Sequence, residues 1–137
     1  MVKKEVLLRK LVQLNENTAI LQTLSKYSLT QFLESPERYG STERFLQLSI
    51  EILDDIGSHI VSDEQLGEVA SYADVPRLLL DKKYISQQQC DAWIQMVGFR
   101  NILVHGYAKV DRKIVYQVLQ NNLKDLEEIG RQLSQLA

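Results

Sequence analysis

The sequence predicts an all-α fold, an up-and-down bundle of four main helices with one or two short helices. The 137 residues include only two prolines and six glycines, the residue types that disfavour helices most strongly. Apolar residues recur three and four positions apart along most of the chain, which is the period of a helix with one buried face. A chain of this length can bury a core without metal or disulfide support, so we expect a single helical domain over residues 1–137.

The first half of the chain predicts two main helices with short helical turns between them. Apolar positions at helical intervals predict the first helix over residues 2–24. A capping-box pattern at Ser28 predicts a short helix. Ser35-Pro36 predicts the start of another helix, with serine as the cap and proline at the first helical position, where it loses no hydrogen bond. We expect an interruption at Gly40-Ser41, followed by the second main helix over residues 42–61.

The second half predicts a short helix and then two main helices. Asp74 to Pro76 has the composition of a short-helix start. A second capping box at Ser86 opens a longer helix, and Gly106 is placed to end it in the left-handed conformation that glycine adopts without steric cost. Asp111 is a suitable cap for the last helix, which runs almost to the end of the chain.

The segment 86–107 carries the residues most suggestive of chemistry. Arg100 occupies a slot in an otherwise apolar stripe, where a permanently charged guanidinium requires an anionic partner. His105 follows at the end of the same helix. Histidine can take a proton from a hydroxyl and return it, and an arginine can stabilise a phosphate under attack. Such a pair can cleave RNA through the ribose 2′-OH without a metal. The apolar members of the stripe are Cys90, Trp93, Val97 and Val104.

Helical geometry separates these two side chains. Five residues correspond to about 140° of rotation, so Arg100 and His105 face adjacent sides of one helix. Two copies of the helix packed across a two-fold axis would place two arginines and two histidines around one cleft. We therefore expect a homodimer with a shared site, since isologous contacts are the commonest kind.

Charge and cysteine content restrict the cellular setting and the partners. The formal net charge is −2, so any affinity for nucleic acid depends on a local patch. Lys109, Arg112 and Lys113, together with Arg100, form the densest positive patch near the motif. Such a patch suits an RNA backbone or an acidic partner, or is simply a solvated surface. The lone Cys90 cannot form an intrachain disulfide. The sequence contains no apolar run of 18 residues and no apolar block of a signal peptide, so we expect a cytoplasmic protein that makes no membrane contact.

Three further polar groups on the second main helix admit more than one interpretation. Glu51, Asp55 and His59 are spaced four apart and share a face, as metal ligands can. A solvated polar face is the favoured interpretation, because the other helices offer no matching carboxylate and histidine, and no metal is expected. Asp54 would approach the cleft if this helix lines it.

The run GFRNILVHGY resembles the Arg-x4-His-x-Tyr signature of the HEPN superfamily, and specifically of its HepT-like toxins. The runs ERFLQLSIEILDDIGSHI and SYADVPRLLLDKKYIS are similar to the helices that precede the motif helix in those toxins. The resemblance implies a homodimeric, metal-independent ribonuclease without a cofactor, in which Arg100 and His105 are the catalytic pair. Asn101 resembles the residue usual after the arginine, and with Lys109 it is a candidate for substrate binding or for support of the pair. The resemblance also implies neutralisation by a minimal nucleotidyltransferase antitoxin that transfers AMP to Tyr107.

Alternatives remain at each of these positions. From the residues alone, Arg100 and His105 are also compatible with a surface salt bridge and a structural histidine. Tyr107 can equally be a packing aromatic. At the level of the whole chain, the alternative to a nuclease is a non-catalytic helical adaptor or substrate-binding subunit of the nucleotidyltransferase.

Overall fold

The computed structural model describes residues 4–106 and 110–136, and these residues form six helices and no strand. Four helices are long and two are short, which confirms the predicted all-α architecture. The helices are α1 (Lys4–Leu24), α2 (Leu29–Glu34), α3 (Pro36–Asp63), α4 (Asp74–Asp81), α5 (Gln87–His105) and α6 (Arg112–Ser134). Among the described helices, none combines the length and apolar character needed to cross a membrane.

Helix α3 is the centre of the bundle, because it packs against each of the other five helices. The predicted break at Gly40-Ser41 is wrong, since α3 runs for 28 residues without interruption. Ser35 caps it by accepting a hydrogen bond from the backbone N–H of Arg38, and Pro36 occupies the first turn. A glycine inside a helix costs about 1 kcal/mol relative to alanine. Burial of the apolar side chains that follow Gly40 on α3 offsets that cost, so the helix continues.

The contact between α3 and α5 depends on a glycine. A Cβ at Gly57 would lie 2.6 Å from Val75 Cγ1 and 2.8 Å from Trp93 Cη2. The missing side chain lets the ring of Trp93, which is fully buried, lie against the α3 backbone. This close approach sets the register of α5 along α3, and one consequence is that Arg100 of α5 reaches Glu51 of α3.

The ends of α5 and α6 follow the predicted local signals with one exception. Ser86 and Gln89 form the expected capping box, and Asp111 accepts from the backbone N–H of Lys113 at 2.9 Å. Gly106 ends α5, but its φ of −96° is not left-handed. Glycine fits there for another reason, because a Cβ would lie 2.7 Å from the carbonyl oxygen of Ile102.

Candidate active site

Arg100 has the anionic partner that its position in an apolar stripe requires. Its Nε atom donates to Oε2 of Glu51 at 2.9 Å, Nη2 forms an ion pair with the same oxygen at 2.8 Å, and its side chain is 23% exposed. Burial raises the pKa of Glu51, but hydrogen bonds from Gln47 and Arg100, together with the charges of Arg100 and Arg44, outweigh burial, so its pKa lies below the ordinary value. The carboxylate is therefore ionised at neutral pH and forms a charge-assisted pair with the guanidinium.

The third nitrogen of Arg100 points to a neighbouring side chain on α5. Nη1 donates to Oδ1 of Asn101 at 3.4 Å. Asn101 is exposed, and it lines an open depression of about 440 Å³ together with Ile102, His105 and Gly106. His105 lies in the last turn of α5 and is also exposed.

Arg100 itself lines a different depression, of about 340 Å³, on the α1, α3 and α5 side of the bundle. Its walls include Leu48 and Ile52, which are partly exposed, and Tyr72, which is 51% exposed. Within one protomer, then, Arg100 and His105 line adjacent depressions, as their spacing on the helix predicts. Asn101 connects them, because it contacts Arg100 and lines the depression of His105.

Asp54 lies on α3 near the Arg100–Glu51 ion pair, and its side chain is almost completely buried, at 3% exposure. Its Oδ1 accepts a hydrogen bond from Nε1 of Trp93 at 2.8 Å. Burial raises the pKa of Asp54 from 3.8 to about 7, against the opposing effects of the Trp93 hydrogen bond and the charge of Arg100. Asp54 also lines the depression of Arg100, so α3 does contribute to this site.

Glu51, Asp55 and His59, for which the sequence favours a solvated polar face over a metal site, do not converge on one point. Glu51 turns to Arg100, whereas Asp55 accepts a hydrogen bond from Lys10 and lies 3.8 Å from Nε2 of His59. Within residues 4–106 and 110–136, no group of three or more His, Cys, Asp or Glu side chains is arranged to hold a metal ion. Glu51 is therefore a site residue that sequence reasoning assigned to the wrong group.

Two of the predicted site residues, Tyr107 and Lys109, lie outside the described residues. The remaining members of the predicted positive patch, Arg112 and Lys113, are exposed at the start of α6. The guanidinium of Arg112 stacks on the ring of Tyr39 at 4.1 Å from its centroid. These two residues of the patch therefore follow the end of α5 by only a few positions in the sequence.

Comparison with known proteins identifies a family and close structural relatives. The family described as "Ribonuclease HepT-like" matches residues 14–133. The "mRNA nuclease HepT" of Shewanella oneidensis is 40% identical over 83 residues, or 61% of this chain and 62% of that protein. The alignment thus spans less than two thirds of the Shewanella nuclease. The "tRNA nuclease HepT" of Aphanizomenon flos-aquae is 29% identical over 116 residues, or 83% of this chain and 78% of that protein.

A solved structure shares the fold over almost the whole chain. It is the tri-AMPylated HEPN toxin of Shewanella oneidensis in complex with the MNT antitoxin, with a TM-score of 0.87 and 29% identity. The superposition covers 95% of this chain and 97% of the toxin. The predicted helical fold and the resemblance to HEPN toxins are both confirmed.

Proposed function

Because the chain belongs to the HepT-like ribonuclease family, we propose that it is a metal-independent endoribonuclease and the toxin of a toxin–antitoxin pair. The observation that carries the proposal is the end of α5. A half-buried arginine held by Glu51 contacts Asn101, and Asn101 shares a depression with the exposed His105. An anchored cation, with an accessible imidazole in the adjacent depression, provides the two groups that 2′-OH attack on a phosphodiester requires.

In the proposed reaction, His105 takes the proton from the ribose 2′-OH as that oxygen attacks the phosphorus. Arg100 stabilises the charge that grows on the phosphorane oxygens. The P–O5′ bond then breaks, and the leaving oxygen receives the proton from an imidazolium. The products are a 2′,3′-cyclic phosphate and a 5′-hydroxyl, and DNA is not a substrate because it has no 2′-OH.

The active form is proposed to be a homodimer whose two α5 helices share the cleft. Apolar side chains are exposed beside both depressions: Tyr72 at 51% next to Arg100, and Ile102 at 50% next to His105. Exposed apolar surface beside polar groups is typical of an interface, and an isologous contact would cover both copies at once. It would also bring the separate depressions of the two protomers together.

Control of the toxin is proposed to occur at Tyr107, through AMP transferred by a minimal nucleotidyltransferase antitoxin. The Shewanella toxin of similar structure is AMPylated and bound to such an antitoxin. Tyr107 follows His105 by two residues, so each AMP added there would bring a negative phosphodiester close to the cleft. That charge would compete with RNA for Arg100.

The test of catalysis is growth arrest on induction in bacteria, followed by RNA cleavage by the purified protein. Arg100→Ala and His105→Ala should each relieve the arrest and lower the cleavage rate by about a hundredfold or more, while leaving the helical circular dichroism spectrum unchanged. His59→Ala is the matched control, because His59 is the only other histidine in the chain and is exposed on α3. It should remain toxic. Full toxicity of the His105→Ala protein would exclude the nuclease mechanism and favour the adaptor.

The shared cleft is tested by mixing inactive protomers. Arg100→Ala and His105→Ala proteins, unfolded together and refolded, form some dimers in which one intact arginine and one intact histidine lie on different chains. If the cleft is shared, the mixture should regain part of the cleavage activity, whereas each variant refolded alone should not. A fully active monomer, observed by size-exclusion chromatography at the assay concentration, would refute the dimer.

A further inference from the structure

The guanidinium of Arg100 contacts Glu51 along one edge and Asn101 through its remaining nitrogen. Nε donates to Oε2 of Glu51 and Nη2 forms an ion pair with the same oxygen, so the carboxylate fixes the position of this edge of the group. Nη1, on the remaining side, contacts Asn101, which lines the depression of His105. The contact with Glu51 therefore leaves Nη1 as the nitrogen directed to Asn101.

Glu51 is itself well fixed. Gln47, one turn earlier on α3, donates to the same Oε2 at 3.1 Å. The close packing of Gly57 against Trp93 sets the register of α5 on α3. The anchor for Arg100 is thus a carboxylate on the central helix of the bundle rather than a group on a loop.

Without Glu51, Arg100 could form an ion pair with other carboxylates. Asp54 and Asp55 line the same depression as Arg100, whereas Asn101 does not line it, and the charge of Arg100 already acts on Asp54. A long arginine side chain released from its partner gains rotamer freedom and turns to the nearest anion. The guanidinium would then spend less time in contact with Asn101, which lines the depression of His105.

We infer that Glu51 is a positioning residue, which holds Arg100 by its Nε and Nη2 edge so that Nη1 faces the scissile phosphate beside His105. This inference rests on the proposed function, since it assigns Arg100 the phosphate. Glu51 does not touch RNA in this arrangement.

The opposite role for Glu51 makes a different kinetic prediction. If Glu51 merely occupied the phosphate site, it would compete with RNA, and its removal would raise kcat/KM. A positioning carboxylate that is lost instead lowers kcat, because a misplacement of about 1 Å can cost about a hundredfold in rate. KM should not rise, since one negative charge near a polyanion has been removed.

The test is steady-state cleavage of an RNA substrate by Glu51→Gln. Glutamine retains the size and an acceptor oxygen but not the charge, so we expect kcat to fall about tenfold or more while KM is unchanged or lower. Glu127→Gln is the control, because it makes the same change on α6, where the carboxylate contacts Gln22. Its kinetics should match the wild type. An unchanged or increased kcat in Glu51→Gln would overturn the inference.

A double-mutant cycle separates positioning from a general loss of structure. Glu51→Gln should have little further effect on the residual activity of Arg100→Ala, because the group to be positioned is gone. An equal fold-loss in both backgrounds would show that Glu51 acts through stability and would overturn the inference. The Nε–H resonance of Arg100 in a ¹⁵N NMR spectrum gives a check without turnover, and it should exchange faster in Glu51→Gln, because a neutral amide oxygen accepts more weakly than a carboxylate.

Different results would refute the positioning role of Glu51 and the proposed nuclease function. If Arg100→Ala is inactive but Glu51→Gln is fully active, the catalytic pair survives and the positioning role is wrong. If Arg100→Ala cleaves RNA at the wild-type rate, the catalytic pair is wrong and the positioning role falls with it.

Discussion

Asp54 should make the stability of this protein fall as the pH rises through neutrality, and Asp54→Asn should remove that dependence. Asp54 is buried, and burial raises its pKa to about 7, whereas an unfolded aspartate titrates at 3.8. Because the pKa is raised in the folded state, the stabilising effect of the proton is complete below 3.8 and is lost as the pH rises through 7.

The size of the effect follows from the two pKa values. The difference between 3.8 and about 7 corresponds to about 4 kcal/mol in the free energy of unfolding. About 2.5 kcal/mol of this is lost between pH 5 and pH 8. Asparagine has the shape of aspartate and still accepts from Nε1 of Trp93, but it does not titrate.

The assay is urea unfolding of both proteins at pH 5 and pH 8 and at one fixed protein concentration. All other groups titrate in both proteins, so the difference between the variants isolates Asp54. Asp54→Asn should gain about 2.5 kcal/mol relative to the wild type between pH 5 and pH 8. A difference that stays constant within about 0.5 kcal/mol would refute the reasoning, because Asp54 would then titrate alike in both states.

Three further predictions concern packing, control and RNA binding. Gly57→Ala should lower the free energy of unfolding by about 1–3 kcal/mol, because the added Cβ meets Val75 and Trp93. Gly40→Ala in the same helix, where nothing lies within 4 Å, should raise it by about 0.5–1 kcal/mol, and equal urea midpoints would contradict the packing account. Tyr107→Phe should keep its toxicity when the nucleotidyltransferase is co-expressed, and mass spectrometry should find AMP on Tyr107 of the wild type; an unmodified Tyr107 in a neutralised complex would indicate steric blocking instead. Lys113→Ala should reduce the salt dependence of RNA binding by about one released ion, and an unchanged slope would place RNA away from the start of α6.

Local signals in the sequence predicted the helix ends well. The capping boxes at Ser28 and Ser86 each form with both of their hydrogen bonds, and Asp111 caps the last helix. These features depend on residues within one turn of each other, so the chain around them is sufficient to specify them. The fold class followed for the same reason, because apolar periodicity is a local property of each helix.

The two errors both concern glycines: one lies where distant packing outweighs local preference, and the other lies in the local geometry of a helix end. Gly40-Ser41 has the composition of a helix break, but the burial of the rest of α3 continues the helix through it. Gly106 ends α5 as expected, yet the reason is its close approach to the carbonyl oxygen of Ile102 rather than a left-handed conformation.

The candidate site was predicted in part. The requirement of Arg100 for an anion is visible in the sequence, because arginine is the one charged residue in an apolar stripe. Which anion it meets depends on the register of α5 on α3, and this register depends on the contact of Gly57 with Trp93. The spacing of Glu51, Asp55 and His59 therefore suggested a group that the structure divides between two partners, Arg100 and Lys10.

The most direct test of the central claim is to identify the ends of the RNA fragments that the purified protein makes in excess EDTA. A mechanism that uses Arg100 and His105 alone should still cleave and should leave 2′,3′-cyclic phosphates with 5′-hydroxyl partners. Cleavage that stops in EDTA and returns with added divalent metal, or fragments with 5′-phosphates and 3′-hydroxyls, would contradict it.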